Sequence, residues 1–256
     1  SDNYIQTDGL GSQAFGLQDN KGWIYTGRKA HGSLAFGYAE GDGSGNFGSI
    51  TTSDPTVVTN ISYGALAFGN TVGASTIYGQ GRASMAYGYA KDSIIISDGF
   101  GNFAFGDSEG NSQIIARANG ALASGKAYGS SSIKALGDAS FIHGSSLSGS
   151  SLTTSVDGAV VTGSAQNSSF ISTLGIGAYS GGYSNNSSGI SATGDGSIAF
   201  GSAGDNATTG SGAQIVTGNT AQSSGALAMG YASYDLNNIW ANGNGSFAMG
   251  MVQASG

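Results

Sequence analysis

The amino-acid sequence predicts an all-β fold, a parallel β-solenoid (β-roll) of about 13 coils with two short strands in each coil. Three observations support this prediction: a glycine that returns every 19 residues, an aliphatic residue eight positions after it, and turns rich in Gly, Asn, Asp and Ser. Repeats of this length stack to bury a continuous core that no single repeat can form alone. Residues 1–256 are therefore expected to form one elongated solenoid domain.

The first predicted strand of each coil ends at the repeating glycine, called here the motif glycine. The strict 19-residue spacing runs from Gly125 to Gly201, and similar short apolar runs such as Gly64-Ala-Leu-Ala-Phe-Gly69 occur outside it. The second predicted strand is centred on the aliphatic position, since short apolar runs between turn residues are typical of strands. This column contains Ile24, Ile77, Ile96, Ile114, Ile133, Leu152, Ile171 and Ile190.

The strand before the motif glycine has large residues on one face and alanine on the other. Phe103 and Phe105 share a face and Ala104 lies opposite, because side chains alternate along a strand. The large residues and the aliphatic column are expected to fill the interior, which leaves the alanines as a flat candidate interaction stripe outside. A tight coil that only needs small residues explains the same alanines equally well. The stripe contains Ala35, Ala67, Ala86, Ala104, Ala123, Ala199, Ala228 and Ala248.

Two kinds of irregularity interrupt the repeat. Around Ile142 and Val161 a bulky residue stands at the alanine position, so either the facing changes there or the interior narrows. The spacings within 38–63 and 202–224 are longer than one period and predict either loops or partial extra coils, one of them at 213–218. Thirteen coils at ~4.8 Å per strand would make a rod roughly 60 Å long.

The composition excludes several classes of protein. Eight basic and 15 acidic residues give a net charge of −7 without a basic cluster, so nucleic acid is not an expected partner. No apolar stretch approaches the ~18 residues of a membrane span, and no charged-then-apolar leader precedes Ser1, so no membrane insertion is expected of this segment. Cysteine is absent, which excludes disulfides and thiolate metal sites.

The sequence also predicts that the protein is not an enzyme and needs no cofactor. His31 and His143 are the only histidines, and His143 is expected to be a partly buried or interface residue. No Walker motif occurs, and no predicted helix follows a strand in the way that a nucleophile elbow or a dinucleotide fingerprint requires. Acidic residues are densest at Asp92, Asp98, Asp107 and Glu109, a stretch that is not expected to form a catalytic pair. Calcium at Asp42 and Asn46, or at Asp107 and Glu109, is retained as a secondary alternative.

Three runs carry a resemblance to a known family: Gly32-Ser-Leu-Ala-Phe-Gly-Tyr-Ala-Glu40, Gly196-Ser-Ile-Ala-Phe-Gly-Ser-Ala-Gly204 and Gly225-Ala-Leu-Ala-Met-Gly-Tyr-Ala-Ser233. They resemble the head repeats of YadA-like trimeric autotransporter adhesins, and similar repeats occur in phage and viral fibres. The resemblance implies a left-handed parallel β-roll, three rolls side by side, and an outer surface that binds host matrix or cell surfaces. The coil here is longer than the usual head repeat.

The expected function is therefore a non-enzymatic adhesion or receptor-binding fibre head, extracellular or displayed on a cell or virion surface, and homotrimeric. Its expected partners are further copies of the chain and a host-surface or matrix protein or glycan. The first alternative is a self-assembling filament or coat subunit, in which exposed coil ends or the alanine stripe drive open-ended packing. The second alternative is an ice-binding solenoid, although the threonines cluster in loops and form no regular ladder.

The aliphatic column generates a direct test. Replacing Ile133 by Asp would bury an unpaired carboxylate between neighbouring coils and should unfold them. A serine or asparagine replaced on the surface should change the melting temperature little. Thermal melting of both kinds of variant checks this, and equal tolerance would contradict the assigned interior.

Overall fold

A computed structural model describes residues 3–27, 30–42, 47–52, 63–204, 212–218, 224–233 and 237–253. Within these residues the chain forms 24 β-strands and no helix. Short strands alternate with longer ones along the sequence, and one short strand with the long strand after it makes a coil. The chain divides into two compact units, unit 1 (residues 1–130) and unit 2 (residues 131–256).

Unit 1 contains one sheet of short strands and one sheet of long strands, and all neighbouring strands are parallel. The short-strand sheet has the order β1 (Tyr4–Thr7), β3 (Trp23–Thr26), β5 (Ser49–Thr51), β7 (Thr76–Gln80), β9 (Ile94–Asp98) and β11 (Gln113–Ala116). The long-strand sheet has the order β2 (Gln13–Asp19), β4 (Leu34–Glu40), β6 (Leu66–Val72), β8 (Met85–Lys91), β10 (Phe103–Glu109) and β12 (Leu122–Tyr128).

Unit 2 repeats this arrangement. Its short-strand sheet has the order β13 (Ser132–Ala135), β15 (Ser151–Thr154), β17 (Phe170–Thr173), β19 (Gly189–Ala192), β21 (Gln214–Thr217) and β23 (Asn238–Ala241). Its long-strand sheet has the order β14 (Phe141–Leu147), β16 (Val160–Gln166), β18 (Tyr179–Asn185), β20 (Ile198–Gly204), β22 (Leu227–Ser233) and β24 (Phe247–Val252).

The predicted fold class is confirmed as an all-β parallel β-solenoid with a period of about 19 residues and two strands per coil. The motif glycines stand in register, for example Gly37 against Gly69 and Gly201 against Gly230. The 24 strands of the described residues pair into 12 coils, which make about 11 turns, slightly fewer than the 13 coils predicted. The long intervals account for the difference, because each contains one ordinary short strand, β5 or β21, and no extra coil among the described residues. Parts of both intervals, at 43–46, 53–62, 205–211 and 219–223, lie outside the described residues.

One member of the predicted aliphatic column is wrong by one residue. Ile95, not Ile96, pairs with Ile77 and Ile114 and is fully buried. The turn between β8 and β9 has two residues where the turn between β10 and β11 has three, so the column shifts by one position in this coil. A fixed offset from the motif glycine therefore fails wherever the turn length changes.

The interior of each unit is narrow and takes its large side chains mainly from the short-strand sheet. A Cβ atom placed on Gly37 would come within 2.9 Å of Cδ1 of Ile50, and the same distance separates a Cβ on Gly201 from Cδ1 of Ile215. The aliphatic column therefore fills the space over the motif glycines. The fully buried members are Ile24, Ile50, Ile77, Ile95, Ile114, Ile133, Leu152, Ile171, Ile190 and Ile215.

The predicted orientation of the long strands is wrong, because alanine faces inward and the large residues face outward. Ala104 has no exposed surface, whereas Phe103 on the opposite side of β10 is 38% exposed. In unit 1 the aliphatic column leaves room for a small side chain only, and a close-packed interior rejects a phenylalanine there. The facing does not change in the middle repeats, since Ile142 and Val161 stand at the alanine position and are fully buried.

Buried serines connect four successive coils of unit 2 at the turns before β13, β15, β17 and β19. The Oγ atom of Ser131 accepts a hydrogen bond from the backbone N–H of Ser150 at 3.3 Å. Ser150 and Ser169 repeat this contact with Ser169 and Ser188, at 3.1 and 3.2 Å. The ladder gives each of these hydroxyls a partner in the interior, which a buried polar group requires.

Two glycines of the same coil should respond differently to alanine. A Cβ on Gly106 would overlap the carbonyl oxygen of Gly125 in the next coil, whereas a Cβ on Gly101 meets nothing within 4 Å. Gly101 has a φ of +63°, so Gly101→Ala should cost about 1 kcal/mol of unfolding free energy from backbone strain alone. Gly106→Ala should cost about 3 kcal/mol or more. Chemical denaturation measures both, and equal losses would contradict the coil-to-coil packing.

Ala83 supplies the reverse control. It stands at the turn position that Gly101 occupies one coil later and has a φ of +55°. Ala83→Gly should therefore stabilise the protein by about 0.5–1 kcal/mol, since glycine enters this conformation without strain.

Candidate functional site

The alanine stripe predicted as an interaction surface lies inside the solenoid. Seven of its members, Ala35, Ala67, Ala86, Ala104, Ala123, Ala199 and Ala228, have no exposed surface, and Ala248 in β24 is half-buried. The prediction that this stripe faces outward is wrong, because the alanines are the residues small enough to pack against the aliphatic column. The outward positions of the long strands belong to the large residues instead.

The outer face of the long-strand sheet of unit 1 carries two apolar columns, and we call it the apolar face. Its columns stand three residues and one residue before the motif glycine. The apolar members of the first column are Leu34, Leu66, Met85, Phe103 and Leu122, and those of the second are Phe15, Phe36, Phe68, Tyr87 and Phe105. Each of these apolar side chains is exposed or half-buried. The remaining positions hold the exposed Gln13 and the buried Ser124. The sequence predicted both columns but assigned them to the interior.

The aromatic column forms a continuous stack along five strands. The ring centroids from Phe15 to Phe36, Phe68, Tyr87 and Phe105 are 5.2, 5.0, 4.8 and 5.1 Å apart, and neighbouring planes differ by no more than 11°. These separations follow the spacing of the strands beneath. Each ring is therefore held in one orientation by the rings on either side, and the apolar face is both flat and ordered.

Polar and charged side chains border the apolar face on the side beyond the motif glycine. The hydroxyl of Tyr38 donates a hydrogen bond to the Glu40 carboxylate at 3.0 Å, and this contact raises the pKa of Tyr38 above its usual value. Lys91 pairs with Glu109 at 2.8 Å, and the same carboxylate raises the pKa of Lys91. Polar and charged groups therefore line one side of the apolar face.

The corresponding face of unit 2 is less uniform. Its second column places His143, Thr162 and Gly181 on three consecutive strands. Tyr179 lies over Gly181, where a side chain would otherwise stand, and its hydroxyl is 2.6 Å from Oγ1 of Thr162. Polar groups therefore interrupt the apolar surface of unit 2, and unit 1 presents the more continuous one.

The residues considered for chemistry lie apart or already have partners. Asp98 is at the end of β9 in the short-strand sheet, whereas Asp107 and Glu109 are on β10 in the long-strand sheet. Among the described residues no group of three or more His, Asp or Glu side chains could hold a metal ion. Asn46, one half of a proposed calcium pair, lies outside the described residues, and Glu109 of the other pair is bonded to Lys91.

The two histidines occupy different surroundings. His143 is exposed on the outer face of β14, so its expected partial burial is not observed. His31 lies at a turn, where its Nδ1 atom accepts a hydrogen bond of 3.1 Å from the backbone N–H of Leu10. The neutral ring with the proton on Nε2 satisfies this contact.

Comparisons with protein-family models, with curated proteins and with solved structures return no match for this chain. The resemblance to adhesin head repeats therefore stays a prediction. Within the described part of the chain, no helix has the length and apolar character needed to cross a membrane.

The orientation of the long strands can be tested by a pair of substitutions on β10. Ala104→Leu would overfill the interior and should cost about 3 kcal/mol of unfolding free energy. Phe103→Ser changes an outward side chain and should cost about 1 kcal/mol or less. Chemical denaturation distinguishes the two, and a larger loss for Phe103→Ser would restore the orientation expected from the sequence.

Proposed function

We propose that the protein is a non-enzymatic adhesion or receptor-binding fibre head, extracellular or surface-displayed, whose copies associate as a homotrimer through the apolar face. The observation that carries this proposal is the exposed, stacked aromatic column of unit 1 beside a second apolar column. Soluble monomers rarely expose continuous apolar surfaces of this kind, which usually mark interaction sites.

The size of the long-strand sheet of unit 1 suits a protein partner. Its outer surface, with the apolar columns and the polar border together, spans six strands at ~4.8 Å and seven residues at ~3.3 Å, a projected area of roughly 650 Å². A stable protein–protein interface takes about 800 Å² of accessible surface from each partner. Unit 1 alone therefore offers a surface of the right order for stable association.

The regularity of the apolar face favours a second copy of the chain as that partner. Its side chains repeat at the spacing of the strands, so a partner must present groups at the same spacing to fit along the whole face. Another copy supplies that spacing at every strand. The trimeric count rests on the resemblance to adhesin head repeats, and closed symmetry is the usual form of soluble oligomers.

The surfaces outside the apolar face support adhesion and not catalysis. The described residues present ordered, repeating columns of side chains and no metal-binding cluster of three or more His, Asp or Glu. Repeat proteins commonly use such extended surfaces for binding. The ligand is then expected on a surface that stays accessible when the apolar faces of the copies are joined.

Sedimentation of the full chain over a range of concentrations tests the proposal. The wild-type chain should sediment as a trimer, and Tyr87→Glu should weaken association at least tenfold because a carboxylate would be buried in the centre of the interface. Gln113→Glu is the matched control, since it adds the same charge to the outer side of β11 in the other sheet of unit 1.

The other outcomes each contradict the trimer. A monodisperse wild-type monomer at high concentration would reject the self-association. Growth without a defined end state would favour the filament or coat subunit. Thermal hysteresis in a freezing assay would favour the ice-binding alternative.

A further inference from the structure

A second ordered column runs along the turn that precedes each long strand of unit 1, outside the strands that carry the apolar face. We call it the corner column, and it occupies the position six residues before the motif glycine. Its members are Leu10, His31, Tyr63, Arg82, Phe100 and Asn119. The residue type at this position differs from coil to coil.

The backbone of the corner column is hydrogen-bonded from coil to coil. The carbonyl oxygens of Tyr63, Arg82 and Phe100 each accept an N–H from the following coil, all at 2.8 Å. His31 accepts one from Gly64 at 3.0 Å. The turn is therefore a rigid support, and side chains on it keep their relative positions.

The side chains of the corner column stack on one another. The rings of His31 and Tyr63 have their centroids 5.4 Å apart. The guanidinium carbon of Arg82 lies 5.3 Å from the centroid of Tyr63 and 5.8 Å from that of Phe100, so the cation is held between two aromatic rings. Tyr63 and Phe100 are 42% and 56% exposed, and Arg82 is exposed between them.

The charge of Arg82 is not balanced by a carboxylate in the part of unit 1 that the structure describes. Lys91 pairs with Glu109 at 2.8 Å and Arg117 with Asp98 at 4.0 Å, but no ion pair to Arg82 occurs among the described residues. A guanidinium presents donors in a planar fork that suits a carboxylate. The corner column therefore combines an oriented cation with an exposed apolar ring on each side.

We propose that the corner column binds a sugar residue that carries a carboxylate. The carboxylate pairs with the Arg82 guanidinium, and the apolar C–H face of the sugar packs on the exposed ring of Phe100. This inference rests on the proposed adhesive function and names the class of ligand for it.

The surrounding charge favours a single acidic sugar over a polyanionic chain. The sequence of unit 1 contains ten acidic and seven basic residues, a net charge of −3, which repels a densely sulfated chain. The site offers a single guanidinium between two aromatic rings, so it suits a ligand with one carboxylate on one sugar ring. Binding at this site is expected to weaken as salt is added, because the ion pair is exposed.

The test compares two glycoconjugates that differ in one group. One carries many copies of glucuronic acid and the other carries glucose, which has the same ring with a hydroxymethyl group in place of the carboxylate. The full wild-type chain, passed over both immobilised conjugates, should bind the glucuronic acid conjugate at least tenfold more tightly. Arg82→Gln should remove this difference, and Phe100→Ala should reduce binding severalfold.

Arg117→Gln is the matched control, since Arg117 is also exposed in unit 1 but is paired with Asp98. It should bind as the wild type does. Equal binding of the wild type to both conjugates, or an equal loss in Arg117→Gln and Arg82→Gln, would overturn the inference. Melting curves of each variant separate loss of binding from loss of fold.

Sedimentation of the same samples separates this inference from the proposed self-association. A trimer that does not distinguish the two conjugates would overturn the carboxylate site and leave the trimer intact. A monomer that binds glucuronic acid through Arg82 would support the site and reject the trimer.

Discussion

The contact between the motif glycine and the next coil constrains the rest of the structure. A Cβ at Gly69, Gly88 or Gly106 would overlap the carbonyl oxygen of the following motif glycine, and across the interior the aliphatic side chain of the short strand occupies the remaining space. In unit 1 the two sheets can therefore approach closely only if the long strand is small on its inner side. Alanine inside and aromatic residues outside follow from this one constraint.

The same constraint connects the fold to the proposed activity. A coil too narrow to hold phenylalanine must present it to the surroundings, and repetition places each ring over the next at the strand spacing. The same repeat therefore determines both which residues form the core of the solenoid and which residues form its surface. Apolar residues that cannot pack within a coil become available for packing between copies.

The sequence predicted the solenoid, the period and both apolar columns, because glycine and isoleucine recur at fixed intervals and turn residues separate them. It did not predict which side of the long strand is inside. Alternation shows that Phe103 and Ala104 face opposite ways. Which of them faces the interior depends on the distance between the two sheets, and the sequence of one strand does not contain that distance. The corner column was missed for a related reason: its residues change type from coil to coil, as Tyr63, Arg82 and Phe100 do, and only their stacking reveals a common position.

The coil-to-coil register has an evolutionary consequence. Because Gly88, Gly106 and Gly125 contact one another in the same way, each coil presents nearly the same upper and lower surface to its neighbours. If one whole repeat were duplicated or lost in the gene, the coils on either side would still meet through equivalent surfaces. The core would therefore stay continuous. The number of rings in the aromatic stack could then change in steps of one, so that lineages adjust the reach and strength of their contacts through copy number without altering any single residue.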